Sequence, residues 1–192
     1  MKTTFQWLNG VQAIGAMLDN VFKMTTVIYL FKELGRDLGG TLALASALLV
    51  IPFLLFSTWG GVLADRYSKR SIILAVKWAE LGMLLLAFPA LASGRAWPML
   101  AVLFLLASQS AFFGPAKRGI VPELVAPEAL ARANGQMTGA SYLAIILGLF
   151  LPSLLVCTLH VSCAAILAGC VALSLVGLYC AHRIAPTPAA NR

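Results

Sequence analysis

Charged side chains are scarce in this sequence. They make up 11% of its 192 residues, whereas soluble domains carry about 25%. No charge occurs from Leu42 to Ala64, and the run Ser71–Leu91 contains only Lys77 and Glu80. Because a helix of about 20 apolar residues spans the hydrocarbon core of a bilayer, runs of this length exclude an ordinary soluble domain and predict an integral membrane protein.

The residue patterns typical of metal sites and of catalysis are also missing. The four cysteines fall in the last two apolar runs, without metal-ligand spacing and without a histidine cluster: Cys157, Cys163, Cys170 and Cys180. There is no acyltransferase histidine–aspartate motif, no nucleophile elbow and no glycine-rich phosphate loop. We therefore expect buried free thiols, no metal site, no cofactor and no enzymatic activity in this chain.

Six apolar runs are long enough to cross a membrane. They are Phe5–Phe31, Thr41–Ala64, Ser71–Ala92, Trp97–Phe113, Gly135–Cys157 and Ser162–His182. Lipid offers no hydrogen-bond partners to the backbone, and the alternation of a β-barrel strand is absent, so the runs must be helices. The sequence predicts an all-α transmembrane domain over residues 1–183, followed by a linker or disordered tail over 184–192.

The longest connector, Gly114–Asn134, carries a helical pattern after Pro127 in the segment PEALARAN. An apolar stripe beside charged residues is typical of a helix that lies in the membrane interface. We therefore predict a short amphipathic helix at the cytoplasmic surface between the fourth and fifth spans.

Basic residues are distributed unevenly between the two sides of the predicted membrane. One side holds nine of them, namely Lys2, Arg66, Lys69, Arg70, Lys117, Arg118, Arg132, Arg183 and Arg192, and the other side holds Lys32, Arg36 and Arg95. Because cytoplasmic loops are enriched in Lys and Arg, both termini are predicted to be cytoplasmic. The net charge of +7 therefore reflects membrane orientation, and no nucleic-acid partner is expected.

Polar residues of the first span fall on one helical face. They are Asn9, Gln12, Asp19, Lys23 and Thr26, with Asn20 at the margin. Such a stripe must face a partner helix or an aqueous cavity. Asp19 and Lys23 are one turn apart and can form an ion pair. The pair either only locks the helix into the bundle or lines a path for substrate.

Two other spans carry polar positions. In the third, Lys77 and Glu80 are three residues apart, and Lys77 either lines the same path or extends to the cytoplasmic surface. In the fifth, Asn134, Thr138 and Ser141 share a face, which is a candidate for the same cavity. Gly135 and Gly139 share another face, and this small-xxx-small spacing predicts close helix packing.

The segment GGVLADRYSKR between the second and third spans resembles the signature loop of the major facilitator superfamily. The matching residues are Gly61, Asp65, Arg66, Lys69 and Arg70. The resemblance implies one half of a major-facilitator bundle, in which Asp65 meets a helix N-terminus of a second six-helix half and closes a cytoplasmic gate. Asp65 ends a helix, where an acid is disfavoured, and the three basic residues can compensate it. Ser68 replaces the usual glycine and predicts a less tight turn.

Three further segments, DNVFK, GPAKRGIVPEL and ARANG, resemble the lysophospholipid transporter branch of that superfamily. The resemblance implies lysophospholipid flipping across the bacterial inner membrane by alternating access, with membrane lipids and a second six-helix half as partners. That half lies either in the same longer chain or in a second copy. Thr138 stands where the branch often has a glutamate.

The predicted substrate-binding residues are Gln12, Asp19, Asn20, Lys23, Lys77, Glu80 and Lys117. Within this set, Lys23 or Lys117 would bind the phosphate of the headgroup, and Asp19 would bind its amine. The alternative functions are transport of another small organic solute and an inactive partial transporter or membrane module of an acyltransferase fusion. The resemblance also disfavours proton-coupled drug export, because the basic residue that is often tied to proton coupling elsewhere in the superfamily is missing between Trp97 and Phe113.

Overall fold

The computed structural model describes residues 2–185 and forms a bundle of six long helices. These are α1 (Lys2–Lys32), α2 (Leu38–Arg66), α3 (Lys69–Ala92), α4 (Ala96–Leu124), α5 (Leu130–Cys157) and α6 (Cys163–His182). All six are long and apolar enough to cross a membrane, and the described part of the chain contains no strand. The prediction of an all-α membrane domain with six spans is thereby confirmed.

Short connections separate the helices, and each has a local cause. Gly35 and Gly94 adopt φ values of +61° and +65° directly after α1 and α3, a conformation that favours glycine and ends helices. The carboxylate of Asp37 accepts a 2.6 Å hydrogen bond from the backbone N–H of Gly40 and caps α2. The hydroxyl of Ser162 caps α6 in the same way.

The predicted amphipathic helix between α4 and α5 was wrong. Helix α4 continues through Pro115 and Pro122 to Leu124, and α5 already begins at Leu130, so that only a 3₁₀ turn at Pro127–Ala129 remains. The extension is stable because Ala116, Ile120, Val121 and Leu124 are buried against neighbouring helices. The polar residues of this segment therefore belong to the end of α4 and the start of α5, which extend beyond the apolar spans.

The start of the predicted tail also differs from expectation. Ile184, which the sequence placed in a linker, is 1% exposed, and its carbonyl accepts a 2.6 Å hydrogen bond from Arg70. The packed domain thus extends past residue 183. The remainder of the predicted tail, from residue 186 onward, lies outside the described residues.

Two apolar clusters fill the bundle. One contains the later part of α1 with Leu84, Leu103 and Leu167, and the other contains the early part of α1 with Ile73 and Ile120. Polar side chains of α1, α3, α4 and α6 lie at the levels between them, namely Gln12, Lys77, Glu80, Gln109 and Ser174, all of which are buried. The bundle therefore has a polar layer between two apolar layers.

Helices α2 and α5 leave most of their apolar side chains exposed, including Leu54, Trp59, Tyr142 and Ile146. Their buried positions are mostly small, as at Ala45 and Gly60 on α2. An exposed apolar face is stable in lipid or against another apolar surface, so these two helices form the outward flanks of the bundle.

Close packing of α5 occurs at a different glycine from those predicted. A Cβ atom added to Gly135 or Gly139 would meet nothing within 4 Å, so the predicted contact at these two positions was wrong. A Cβ atom on Gly148 would lie 2.7 Å from the backbone oxygen of Met17 and 2.9 Å from Cβ of Asn20. Only glycine at position 148 allows α5 to approach α1 this closely.

We predict that Gly148→Ala destabilises the fold by about 1–2 kcal/mol, because overpacking against a backbone oxygen outweighs the gain in helix propensity. The matched variant Gly139→Ala has open space around the new methyl group and should be neutral or slightly stabilising. Unfolding in detergent micelles measures both. Equal stability of the two variants would contradict the close α1–α5 contact.

Candidate functional site

A cavity of about 730 Å³ opens beside α1 and α4. Its charged lining residues are Asp19, Lys77, Glu80, Lys117 and Arg118, and its polar ones include Gln12, Asn20, Gln109, Ser110, Asn134, Thr138 and Ser141. Leu49 and Phe53 of α2 and Ile145 of α5 add apolar wall. A polar lining at the level of a membrane span is costly unless it serves a substrate or ion path, so this cavity is the candidate site.

Gln12 connects three helices at the cavity wall. Its amide donates to the backbone oxygen of Met137 at 2.8 Å, and its Oε1 accepts from the hydroxyl of Ser141 at 2.8 Å. The same oxygen lies 3.4 Å from Nζ of Lys117. Gln12 is 1% exposed, so its role is to hold α1, α4 and α5 in register around the cavity.

Asp19 is held by α4 and not by Lys23. The hydroxyl of Ser110 donates to the Asp19 carboxylate at 2.8 Å, and the amide of Gln109 donates to the Ser110 oxygen at 3.0 Å. Since Ser110 uses its single proton on Asp19, it must accept from Gln109. Asp19 is therefore a carboxylate that is oriented by a hydroxyl and has no cationic partner within 4 Å among the described residues.

The predicted Asp19–Lys23 pair was wrong, and Lys23 does not line the cavity. Among residues 4–185 there are two ion pairs, Lys69–Glu123 and Lys77–Glu80, and the cavity lining of α1 ends at Asn20. At about 100° per residue, Lys23 falls between Asp19 and Asn20 around the helix, and both of these line the cavity. The difference therefore lies along the helix axis, because Lys23 is about one turn beyond the last cavity-lining residue of α1.

Lys77 and Glu80 form a buried ion pair of 2.8 Å. The hydroxyl of Ser174 on α6 donates to the other oxygen of Glu80 at 3.0 Å. Lys77 is 1% exposed, so the alternative that it extends to the cytoplasmic surface was wrong. A Cβ on Gly15 would lie 3.1 Å from Nζ of Lys77, which means that glycine provides the space for this ammonium group.

The basic residues at the connection between α2 and α3 make two different kinds of contact. Lys69 is buried and pairs with Glu123 of α4 at 2.6 Å, and Arg70 donates to the backbone oxygens of Ile184 and His182 at the end of α6. These two side chains therefore do not pair with Asp65, contrary to the predicted compensation. Asp65 and Arg66 are exposed, and the gating role of Asp65 stays a prediction.

Gly61 and Ser68 of this loop both have local surroundings that do not require glycine. A Cβ on Gly61 would meet nothing within 4 Å, whereas one on Gly60 would lie 3.1 Å from the backbone of α4. Gly60 therefore makes the close helix contact. Ser68 has a φ of −55°, so the turn does not require the glycine that the family usually has there.

Three polar residues of the site were not recognised from the sequence: Gln109, Ser110 and Ser174. The signal for the first two was present, because SQS interrupts an apolar run in the fourth span, but short polar residues also pair with their own helix backbone. No sequence pattern around Ser174 indicated that it belongs to the site. Within residues 2–185, no group of three His, Cys, Asp or Glu side chains is arranged to hold a metal ion.

Comparisons with known proteins cover most of the chain. The family described as Major Facilitator Superfamily matches residues 13–192, from the middle of α1 onward. Macrolide efflux protein A of Streptococcus pyogenes is 27% identical over 136 residues, which are 70% of this chain and 33% of that protein. The protein of the same name from a serotype M6 strain of this species matches equally. The chain thus spans about a third of the length of these curated relatives.

We predict that Glu80→Gln lowers stability by about 3–5 kcal/mol, because it leaves the buried Lys77 ammonium without its counter-charge. The double variant Lys77→Met with Glu80→Gln should recover most of this loss. Glu123→Gln is the comparison at the Lys69–Glu123 pair and should cost less, about 1–2 kcal/mol, because Lys69 is buried but Glu123 is partly exposed. Unfolding in detergent micelles gives all three values, and equal losses for the two single variants would argue against a buried pair.

Proposed function

Because this chain belongs to the Major Facilitator Superfamily, we propose that it forms one six-helix wall of a transporter that works by alternating access. Transport of this kind needs two repeats that rock against each other around a site near the bilayer midplane. The polar layer of α1, α3, α4 and α6 supplies one side of such a site. The exposed apolar flanks of α2 and α5 would meet the second half, and the multi-pass chain would reside in the bacterial inner membrane.

Lysophospholipid is the proposed substrate. Its headgroup carries a phosphate and, in lysophosphatidylethanolamine, an amine, and it has a single acyl chain. The observation that carries this proposal is that Asp19 and Lys117 line one cavity, and neither has an ion-pair partner within the described part of the chain. Asp19 would bind the amine and Lys117 the phosphate. Leu49, Phe53 and Ile145 provide apolar wall for the acyl chain.

Export of another small organic solute is the second candidate. It is favoured by the 27% identity to a protein named for macrolide efflux. An acid such as Asp19 would then bind an amine on the exported molecule, and Lys117 would have no role in substrate choice. The two candidates therefore differ in whether the substrate must carry an anionic group.

A transport assay in proteoliposomes separates the candidates. The natural full-length gene product is reconstituted, and the movement of labelled lysophosphatidylethanolamine is compared with that of a macrolide and of unrelated solutes. We expect lysophospholipid movement that Asp19→Asn reduces about tenfold, equivalent to about 1.4 kcal/mol of lost interaction with the amine. Asp37→Asn is the control, since asparagine also caps a helix and Asp37 lies outside this cavity.

Unchanged lysophospholipid rates in Asp19→Asn would remove Asp19 from the site. Movement of the macrolide without movement of any lysophospholipid would favour the second candidate. If neither the two named substrates nor the panel moved, the proposal of a transport function for this gene product would fail.

A further inference from the structure

Two lysine ammonium groups lie against one aromatic ring at the cavity wall. Nζ of Lys117 is 5.5 Å from the centroid of Phe113, and Nζ of Lys77 is 5.9 Å from the same centroid. Both distances are within the range of cation–π attraction. Phe113, Lys77 and Lys117 all line the cavity, and Phe113 itself is buried. The Phe113 ring thus contacts two ammonium groups, one from α3 and one from α4.

Most N–H donors of these two ammonium groups have no acceptor among the described residues. Each has three N–H donors, but within residues 2–185 Lys117 makes a single long bond of 3.4 Å to Gln12. Lys77 makes a single bond to Glu80 and is too deeply buried to use water. Glu80 is itself tied back to Ser174 of α6. Lys117, which is partly exposed and lines the cavity, therefore has N–H donors available to a ligand.

The charges of the cavity favour an acceptor that is anionic. Its lining holds three basic side chains, Lys77, Lys117 and Arg118, against the two acids Asp19 and Glu80. A phosphate group offers several charged oxygens and no donor when fully ionised, which matches donors in excess. Charge interactions are also stronger in a partly enclosed cavity than in bulk water.

We propose that Lys117, Phe113 and Lys77 form a phosphate subsite in this cavity. Lys117, which is partly exposed, contacts the phosphate directly. Lys77 is a positioning residue behind the ring: its charge is balanced by Glu80, and its ammonium group packs against Phe113 and fixes the orientation of the ring. Phe113 is also a positioning residue, because its ring holds both cations on one side of the cavity. This inference rests on the proposed function, since it assigns the part of the substrate that the subsite would bind.

Binding of matched amphiphiles to the purified full-length gene product tests the subsite. Lysophosphatidic acid and monoacylglycerol of the same acyl chain differ in the phosphate, and inorganic phosphate is the third probe. We expect Lys117→Met to weaken lysophosphatidic acid binding about tenfold, with Lys117→Arg close to wild type. Phe113→Leu and the double variant Lys77→Met with Glu80→Gln should each weaken it about threefold. Binding of monoacylglycerol should not change.

Two control variants keep the chemistry of the substitutions and move them out of the cavity. Lys32→Met removes an exposed lysine at the end of α1, and Phe31→Leu removes an exposed aromatic ring beside it. Both should bind lysophosphatidic acid as wild type does. Equal weakening by Lys32→Met and Lys117→Met would overturn the subsite, as would any cavity variant that weakens both amphiphiles alike.

A competition experiment distinguishes a site for free phosphate from a site for the phosphate of a lipid headgroup. Displacement of lysophosphatidic acid by millimolar inorganic phosphate supports a subsite for the free ion as well as for the lipid, and displacement by lipid alone supports a headgroup site. A protein that moves no lysophospholipid but keeps the preference for phosphate would lose the proposed function and retain the subsite. Unchanged binding of lysophosphatidic acid in Lys117→Met would overturn the subsite whatever the transport assay gives.

Discussion

The structure depends on one constraint, which is that a polar group inside a bilayer must find its partner within the protein. The bundle meets it in part by placing five buried polar side chains between two apolar clusters, namely Gln12, Lys77, Glu80, Gln109 and Ser174. Glu80 illustrates the solution, since one oxygen meets Lys77 and the other meets Ser174 on α6. Gln12 connects α1 with α4 and α5 in the same way. The contacts that solve the solvation problem are also the contacts that shape the cavity.

The fold could be predicted from the sequence because membrane-spanning helices have a characteristic apolar composition. Long uncharged runs leave no alternative to helices, and the number and order of the spans follow. The ends of α4 and α5 could not be read in the same way. Beyond the hydrocarbon region a helix is free to be polar, so that Pro115, Pro122 and the charged residues around them looked like a connector although their apolar neighbours are buried.

The site was predictable in part, for a related reason. Helical spacing identified the polar face of α1. It correctly predicted that Gln12 and Asp19 lie on the face that lines the cavity. Spacing alone cannot report how far a cavity extends along a helix or which partner a side chain finds. The first decided the outcome at Lys23, which lies beyond the cavity, and the second decided it at Asp19, whose partner is Ser110. Which glycine allows close approach depends on where two helices cross, and so Gly148 and not Gly139 touches α1.

Three helices are linked to one another at one end of the bundle. Lys69 links α3 to α4 through Glu123, with Gly119 leaving room for its alkyl chain, and Arg70 links α3 to the final carbonyls of α6. Ties of this kind oppose sliding of one helix past its neighbour. In the proposed transporter, conformational change would therefore tilt these helices together as one rigid body.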